Sequence, residues 1–338
     1  MKIGIYGAGS IGCYIGGRMV AAGHQVTFYC RERSYQKLSQ NGLELSDLNG
    51  YHHKLTPDQL RLTTNLAEVL DTDLVMICVK SAATEQVASE IRSCDTLNKP
   101  SLISFQNGVS NVPRLKKMLP EWEIMEGMVP FNVAELKPSH FHQGSDGTLM
   151  IKKFVESNQL KIVLDAAKLQ VEFRDDMLEV QWAKVLFNLN NSINALSGLT
   201  LRNQLTNRMY RKCLAQAQLE TLQILKQANI KPAQLTPVPA NIIPHILRLP
   251  NWLFKLISRK MLAIDPLARS SMKDDLNLGR TTEVDWINGE VVRLANTLGG
   301  NAPINSYFIE QIKLAENNNS SLQIGPEEML TQLKLIQH

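Results

Sequence analysis

Two places in this sequence offer chemistry most plainly: Gly7-Ala8-Gly9-Ser10-Ile11-Gly12 near the start, and Lys184 with the asparagines that follow it. The first has the G-x-G-x-x-G spacing. Gly7 permits a tight turn, Gly9 lets the backbone approach a pyrophosphate, and Gly12 lets a helix pack closely on a strand. The helix N-terminus then supplies amides and dipole to an anion. The second, KVLFNLNNSINALSG from Lys184, carries four asparagines inside an otherwise amphipathic pattern. Asparagine is a poor helix former because its amide competes for backbone hydrogen bonds, so this density asks for a reason.

At about 100° per residue, Lys184, Asn188 and Asn191 fall within roughly 60° of one another, with Ser192 at the margin. Trp182, Val185, Leu186, Leu189, Ile193 and Leu196 form the opposite, apolar stripe, and Asn190 and Asn194 point elsewhere. A lysine beside two carboxamides suits an anion or a carbonyl. The plain alternative is a solvated polar face. Hydride addition to a carbonyl builds negative charge on oxygen, which a nearby ammonium can stabilise and then protonate. Burial and cationic neighbours, Lys80 among the candidates, would lower the lysine's pKa towards working pH.

The end of the second strand, Tyr29-Cys30-Arg31-Glu32-Arg33, decides between nicotinamide cofactors. Glu32 lies about 20 residues beyond the glycines, where an acid would bind the ribose diol of NAD. Arg31 and Arg33 flank it, and guanidinium groups suit a 2′-phosphate. NADPH is the favoured reading, with Arg31 as first contact, and Glu32 keeps NAD open. Lys80 ends the apolar run LVMICV, and Gln106-Asn107-Gly108 ends SLISF. Ligands of open α/β sheets bind beyond the carboxyl ends of strands, so both point at the same site, although Asn-Gly is also an ordinary turn.

These residues need elements to hold them. Lys2–Tyr6 is predicted as a strand, Gly7–Ser10 as a turn, Ile11–Ala22 as a helix closed by Gly23, and Gln25–Cys30 as the next strand. Further strands are expected at Leu74–Val79 and Leu102–Phe105, with a helix at Ala82–Arg92 before the latter. Alternating strands and helices imply a parallel, doubly wound sheet. The pattern changes after Met150, and from about Leu178 it is mainly helical. Val180–Ser197, Asn207–Ala228 and Glu283–Leu298 each show helical apolar spacing. The expected fold is therefore α/β: an N-terminal Rossmann-type doubly wound sheet over residues 1–175, followed by an all-α C-terminal domain over 176–338. The proline-rich stretch Ile230–Pro266, with LRLPNWLFKLISRKML, is open between a lid, an oligomer interface and a core hairpin. Asn317–Ser321 is expected as a surface loop.

Composition narrows the classes. The 338 residues suffice for two domains, and 44% hydrophobic with 20% charged residues is ordinary globular composition. A net charge of +4 is too mild to imply nucleic acid. Cys13, Cys30, Cys78, Cys94 and Cys213 lack C-x-x-C spacing, which argues against a zinc site or a disulfide framework and suits a reducing cytoplasm. No signal peptide is expected at the start, and no apolar run approaches the roughly 18 residues that span a bilayer.

The chain resembles the ketopantoate reductase family (2-dehydropantoate 2-reductases) over nearly its whole length. The resemblance rests on GAGSIGCYIGGRM, ICVKS at Lys80, QNGV at Asn107, QWAKVLFNLNN at Lys184 and SSMKDDLNLGRTTEVDWINGEVV over 270–292. It implies reduction of 2-dehydropantoate to (R)-pantoate by NADPH, in pantothenate synthesis, with Lys184 as general acid to the carbonyl oxygen. It further implies that Glu283 orients the substrate and lies near the cofactor, and that Ser271 gives the substrate a hydrogen bond. Asn107 and Asn188 would line the pocket, with Lys80 near the cofactor. On this reading Glu283 opens a helix, favoured by its dipole, with Thr281 or Thr282 as cap. The family commonly spaces its helix Lys-x-x-x-Asn-x-x-x-Asn, which here places Ser192 at the last position. Either Asn191 or Ser192 completes the site, and a shifted alignment would use Asn190 and Asn194. The expected partner is a small 2-keto acid, with a homodimer as the compatible assembly and no metal. The rivals are a reductase of another bulky 2-keto acid and a non-catalytic NADPH-binding regulator.

Overall fold

A computed structural model describes residues 1–96, 98–257, 268–318 and 323–336. The chain forms two compact units, Met1–Met177 and Leu178–His338.

The first unit opens with β1 (Ile3–Tyr6), α1 (Ser10–Ala21), β2 (Val26–Tyr29) and α2 (Glu32–Asn41). There follow β3 (Leu43–Asp47), β4 (His52–Leu55), β5 (Arg61–Thr63), α3 (Leu66–Leu70), β6 (Leu74–Ile77) and α4 (Thr84–Ser93). The unit is completed by β7 (Ser101–Ser104), α5 (Asn111–Met118), β8 (Ile124–Met128), β9 (Val133–Lys137), β10 (His140–Gln143), β11 (Leu149–Lys152), α6 (Ser157–Ala166) and β12 (Val171–Arg174). Eight strands make the main sheet in the order β12-β11-β8-β7-β6-β1-β2-β5, parallel except where β11 meets β8. The strands IGIY of β1 and LVMI of β6 are buried throughout, as continuous apolar runs covered on both faces should be. The chain builds outward from β1 through β2 to β5, then returns to β6 and builds the other way. The crevice beyond β1 and β6 is thus the switch point at which open α/β sheets bind ligands.

A second sheet, β4-β3-β10-β9, uses residues for which the sequence analysis named no element. Arg18 of α1 fastens this region: it is buried, donates to Tyr14 Oη and the Ala167 carbonyl, pairs with Asp47 at 3.2 Å and stacks on Tyr51. A buried guanidinium persists because its donors are met.

The second unit contains α7 (Met177–Asn188), α8 (Asn190–Ser197), α9 (Leu201–Thr206), α10 (Arg208–Gln227), α11 (Ile243–Leu247) and α12 (Asn251–Ile257). It continues with α13 (Ser271–Asn277), α14 (Asn288–Thr297), α15 (Pro303–Asn317) and α16 (Pro326–Ile336). Two helices expected as continuous are divided. The expected helix over 180–197 is interrupted at Leu189, although the Leu189 N–H still reaches the Val185 carbonyl at 2.9 Å. Ser192 donates its hydroxyl to the Leu189 carbonyl, the back-bonding through which serine disturbs a helical ladder. Gly198, at φ +68°, closes α8 in the left-handed conformation. The expected helix over 283–298 is instead a 3₁₀ turn, Val284–Trp286, then Ile287, then α14.

Arg211 of α10 organises part of the proline-rich stretch. It donates to the carbonyls of Leu247 and Leu249 and to Asn251 Oδ1, and lies over the Phe254 ring. Leu247 and Phe254 are buried, while Trp252 and Leu256 are largely exposed. The part of the stretch over 258–266 lies outside the described residues. So does the expected loop beyond Asn318, and its first residue, Asn317, ends α15.

Candidate active site

In the first unit the glycine motif forms the predicted strand-turn-helix. Gly7 has φ +109°, and a Cβ there would meet Val79 at 2.5 Å. A Cβ at Gly12 would stand 2.1 Å from the Gly7 carbonyl oxygen, so α1 packs against the turn at a distance only glycine allows. Around Gly9, by contrast, a Cβ would find nothing within 4 Å. Open space at the N-cap of a helix whose first turn has no acidic residue fits a pyrophosphate. Ala8, Ser10 and Ile11 lie in the same turn and the first residues of α1.

Arg31 is the N-cap of α2, and Arg31, Glu32 and Arg33 are all exposed. Glu32 accepts a hydrogen bond from Gln36 at 2.8 Å, one turn along its own helix. Tyr6 and Tyr29 end β1 and β2, on the side of the sheet to which the glycine turn belongs; burial and then Glu90 push both hydroxyls up, and Arg31 opposes that shift.

The loops after β6 and β7 are laced together by buried polar groups. Ser81 Oγ and Asn111 Nδ2 both donate to the Asn107 carbonyl, each at 2.6 Å. Thr84 Oγ1 donates to Asn111 Oδ1 at 2.8 Å and accepts from Gln106 Nε2 at 3.0 Å. Gln106 in turn reaches the Lys80 carbonyl at 3.4 Å. Ser81 and Thr84 are fully buried, so these bonds replace solvent and hold the backbone of Lys80 and Asn107 in place. Sequence reasoning selected Lys80 and Asn107 but missed Ser81, Thr84 and Asn111. Their only signal is polar side chains beside the two strand ends.

In the second unit, from Lys184 to Asn191, Lys184, Phe187, Asn188 and Asn191 are half-buried, while Val185, Leu186 and Leu189 are buried. Their spacing is i, i+3, i+4, i+7, one face of a helix. Phe187 was not singled out in the sequence, where a phenyl group reads as core. Burial lowers the Lys184 pKa from 10.5 to about 8, and the Glu283 carboxylate opposes that shift. Burial, rather than a neighbouring cation, is the cause, because desolvation penalises the ammonium.

The other polar residues of the run are structural. Ser192 is not brought to the half-buried face; it is fully buried and bonded to Leu189. Asn190 accepts from Gln204 Nε2 at 3.0 Å. Asn194 accepts from the Ser270 N–H at 3.0 Å and donates to the Leu199 carbonyl at 3.1 Å. Ser270 Oγ donates to the Asn191 carbonyl at 3.2 Å and accepts from the Lys273 N–H, capping α13. The cap is thus Ser270, which leaves Ser271 exposed at the start of α13. Lys273 reaches the carbonyls of Gly198 and Leu199. These bonds fasten α13 to α8.

Glu283 precedes the 3₁₀ turn rather than opening a helix, and three residues of 3₁₀ supply little dipole, so that expected stabilisation falls away. The neighbouring backbone is held: Thr282 Oγ1 accepts from the Val284 N–H, and Glu316 Oε1 accepts from the Thr282 N–H at 2.7 Å. Among the described residues no group of three or more His, Cys, Asp or Glu could hold a metal, and no helix is long and apolar enough to cross a membrane.

Comparison with known proteins agrees across the chain. Residues 3–156 match the family described as ketopantoate reductase PanE/ApbA, and residues 176–316 match its C-terminal counterpart. The 2-dehydropantoate 2-reductase of Halobacterium salinarum is 22% identical over 325 residues, covering 94% of this chain and all of that protein. The PanE/ApbA family ketopantoate reductase of Ralstonia eutropha has a similar structure, with a TM-score of 0.79 at 26% identity over 94% of this chain and 99% of that one. D-mandelate dehydrogenase, solved with NADH and anilino(oxo)acetate, shares the fold with a TM-score of 0.76 at 20% identity, over 94% of this chain and 99% of that one. Matched in both of its halves, this chain belongs to the ketopantoate reductase family and is an oxidoreductase.

Proposed function

We propose that the protein reduces 2-dehydropantoate to (R)-pantoate with NADPH, and that Lys184 is the general acid. The observation that carries this reading is Lys184 on one half-buried helix face with Asn188 and Asn191, in a chain matched to the family in both halves; burial pushes its pKa down to about 8, against the opposing effect of Glu283. Such a group is about nine-tenths protonated at neutral pH, yet gives up its proton far more readily than an ordinary lysine.

The glycine turn and the N-terminus of α1 would hold the pyrophosphate, with Arg31 at the 2′-phosphate. When bound, NADPH supplies the hydride that adds to the keto carbon. Lys184 stabilises the charge that develops on the keto oxygen and donates one Nζ proton to it, and the neutral amine recovers a proton from water. Asn107, Asn188, Asn191 and Ser271 offer hydrogen bonds that orient the substrate. Lys80 and Glu283 would contribute to holding the cofactor, and the Glu283 carboxylate favours the charged form of Lys184. Phe187 adds an apolar wall for the substrate's branched carbon, so small 2-keto acids should lose contact there.

A second reading, reduction of a different bulky 2-keto acid, is favoured by one observation. The position at which the family commonly has its second asparagine is Ser192, whose hydroxyl is bonded to Leu189. A panel of 2-keto acids, assayed with NADPH and with NADH, decides between the two. The expected result is the highest kcat/KM for 2-dehydropantoate with NADPH and a loss of tenfold or more for pyruvate (about 1.4 kcal/mol per decade). No preference for 2-dehydropantoate would sink the specific claim, and no turnover with any keto acid would revive the regulator.

A further inference from the structure

Helix α15 packs against both α8, which carries Asn191, and the 3₁₀ turn that follows Glu283. Two of its side chains reach the turn. Glu316 Oε1 accepts the Thr282 N–H at 2.7 Å, on the N-terminal side of Glu283. Lys313 Nζ pairs with Asp285 Oδ2 at 2.5 Å, on the C-terminal side, and lies 3.9 Å from Glu316 Oε2. From α14, Arg293 donates to the Asp285 carbonyl at 2.7 Å and pairs with the buried Glu290. Glu283 is therefore flanked by two residues that α15 grips, Thr282 through its backbone N–H and Asp285 through its side-chain carboxylate. Val284, immediately after it, is fully buried.

We propose that Glu316 and Lys313 are positioning residues, which hold the Thr282–Asp285 turn so that Glu283 stays directed at Lys184. The inference rests on the general-acid reading of Lys184. Its physical content is that Glu316 and Lys313 touch no reacting atom; they act by keeping one carboxylate within electrostatic reach of one ammonium. Without that field, burial of Lys184 is unopposed and the proton is lost at lower pH. Glu316 offers the Thr282 N–H a charged acceptor, the stronger kind of hydrogen bond, which suits a clamp better than a neutral contact would.

The test is the pH dependence of kcat for NADPH-driven reduction in the full-length enzyme. Glu316→Ala should move the falling limb to lower pH by about half a unit or more, with activity on the acid side of the limb largely kept. Glu316→Gln, whose amide oxygen can still accept from Thr282, should keep the limb within about 0.2 unit of wild type. Lys313→Met, at a half-exposed position with little folding risk, should shift the limb in the same direction by less. An unmoved limb with lowered amplitude in both Glu316→Ala and Lys313→Met would mean that α15 matters only for stability, and would overturn the proposal. Lys184→Arg separates this failure from that of the underlying reading. If the limb persists unchanged in Lys184→Arg, it does not belong to Lys184, and the general-acid reading falls together with the inference built on it.

Discussion

The most exposing prediction concerns the pH at which Lys184 stops donating. Its pKa of about 8 reflects burial of the ammonium, partly opposed by Glu283. For the reduction direction the protonated form is the active one, so activity is full below the pKa and lost above it. With the midpoint near 8, the protonated fraction falls from about 0.9 at pH 7 to about 0.1 at pH 9, a loss of roughly tenfold in kcat. A lysine at its ordinary 10.5 would lose almost nothing over that range. Glu283→Gln removes the opposing carboxylate and should carry the limb below 8. Lys184→Ala should cost about 10²–10⁴ in kcat at pH 7, while NADPH affinity, measured by fluorescence titration, stays nearly constant. The same burial has a stability consequence with its own sign. A lysine whose folded pKa is depressed opposes folding while both states are protonated, below about 8. That penalty is relieved as pH rises from the folded value to the unfolded one. Steady-state rates between pH 6 and 10, with saturating substrate, are the assay. A profile flat to pH 10, or a Glu283→Gln limb at higher pH than wild type, would refute the reasoning.

Two further outcomes are expected. Arg31→Ala should weaken NADPH by about 10–100-fold, the worth of charge-assisted hydrogen bonds, and NADH much less. An equal loss in the KM of both cofactors would favour Glu32 as the ribose contact. Asn194→Ala should destabilise the fold by about 1–3 kcal/mol, because it leaves the buried Ser270 N–H without its acceptor. A thermal midpoint within a degree of wild type would show that α8 and α13 do not depend on that bond.

The doubly wound sheet was legible because its signals are local. Buried parallel strands read as unbroken apolar runs, and Gly7 to Gly12 lie within one turn and the helix it starts. The second sheet was not legible: β3, β4, β9 and β10 come from distant stretches whose polar outer faces, such as His52 and Lys54, mask the alternation. In the helical half the angular argument placed Lys184, Asn188 and Asn191 on one face, since helical geometry over a few residues is a local property. It passed over Phe187, because a phenyl group in an amphipathic pattern is assigned to the core unless neighbouring helices leave it open.

What the sequence determined by itself was the inventory: a dinucleotide-type glycine turn, polar residues at two strand ends, a lysine with carboxamides at helical spacing, and a motif placing Ser271 and Glu283 twelve residues apart. What only the tertiary structure decided was which of those side chains remain available. Ser192 and Asn194 are spent on the carbonyl of Leu189 and the N–H of Ser270, and Glu283 lies outside any long helix dipole. The physical reason is that a polar group taken out of water must find a partner. Which partner it finds depends on residues such as Ser270 and Glu316, tens of positions away in the chain and adjacent only after folding.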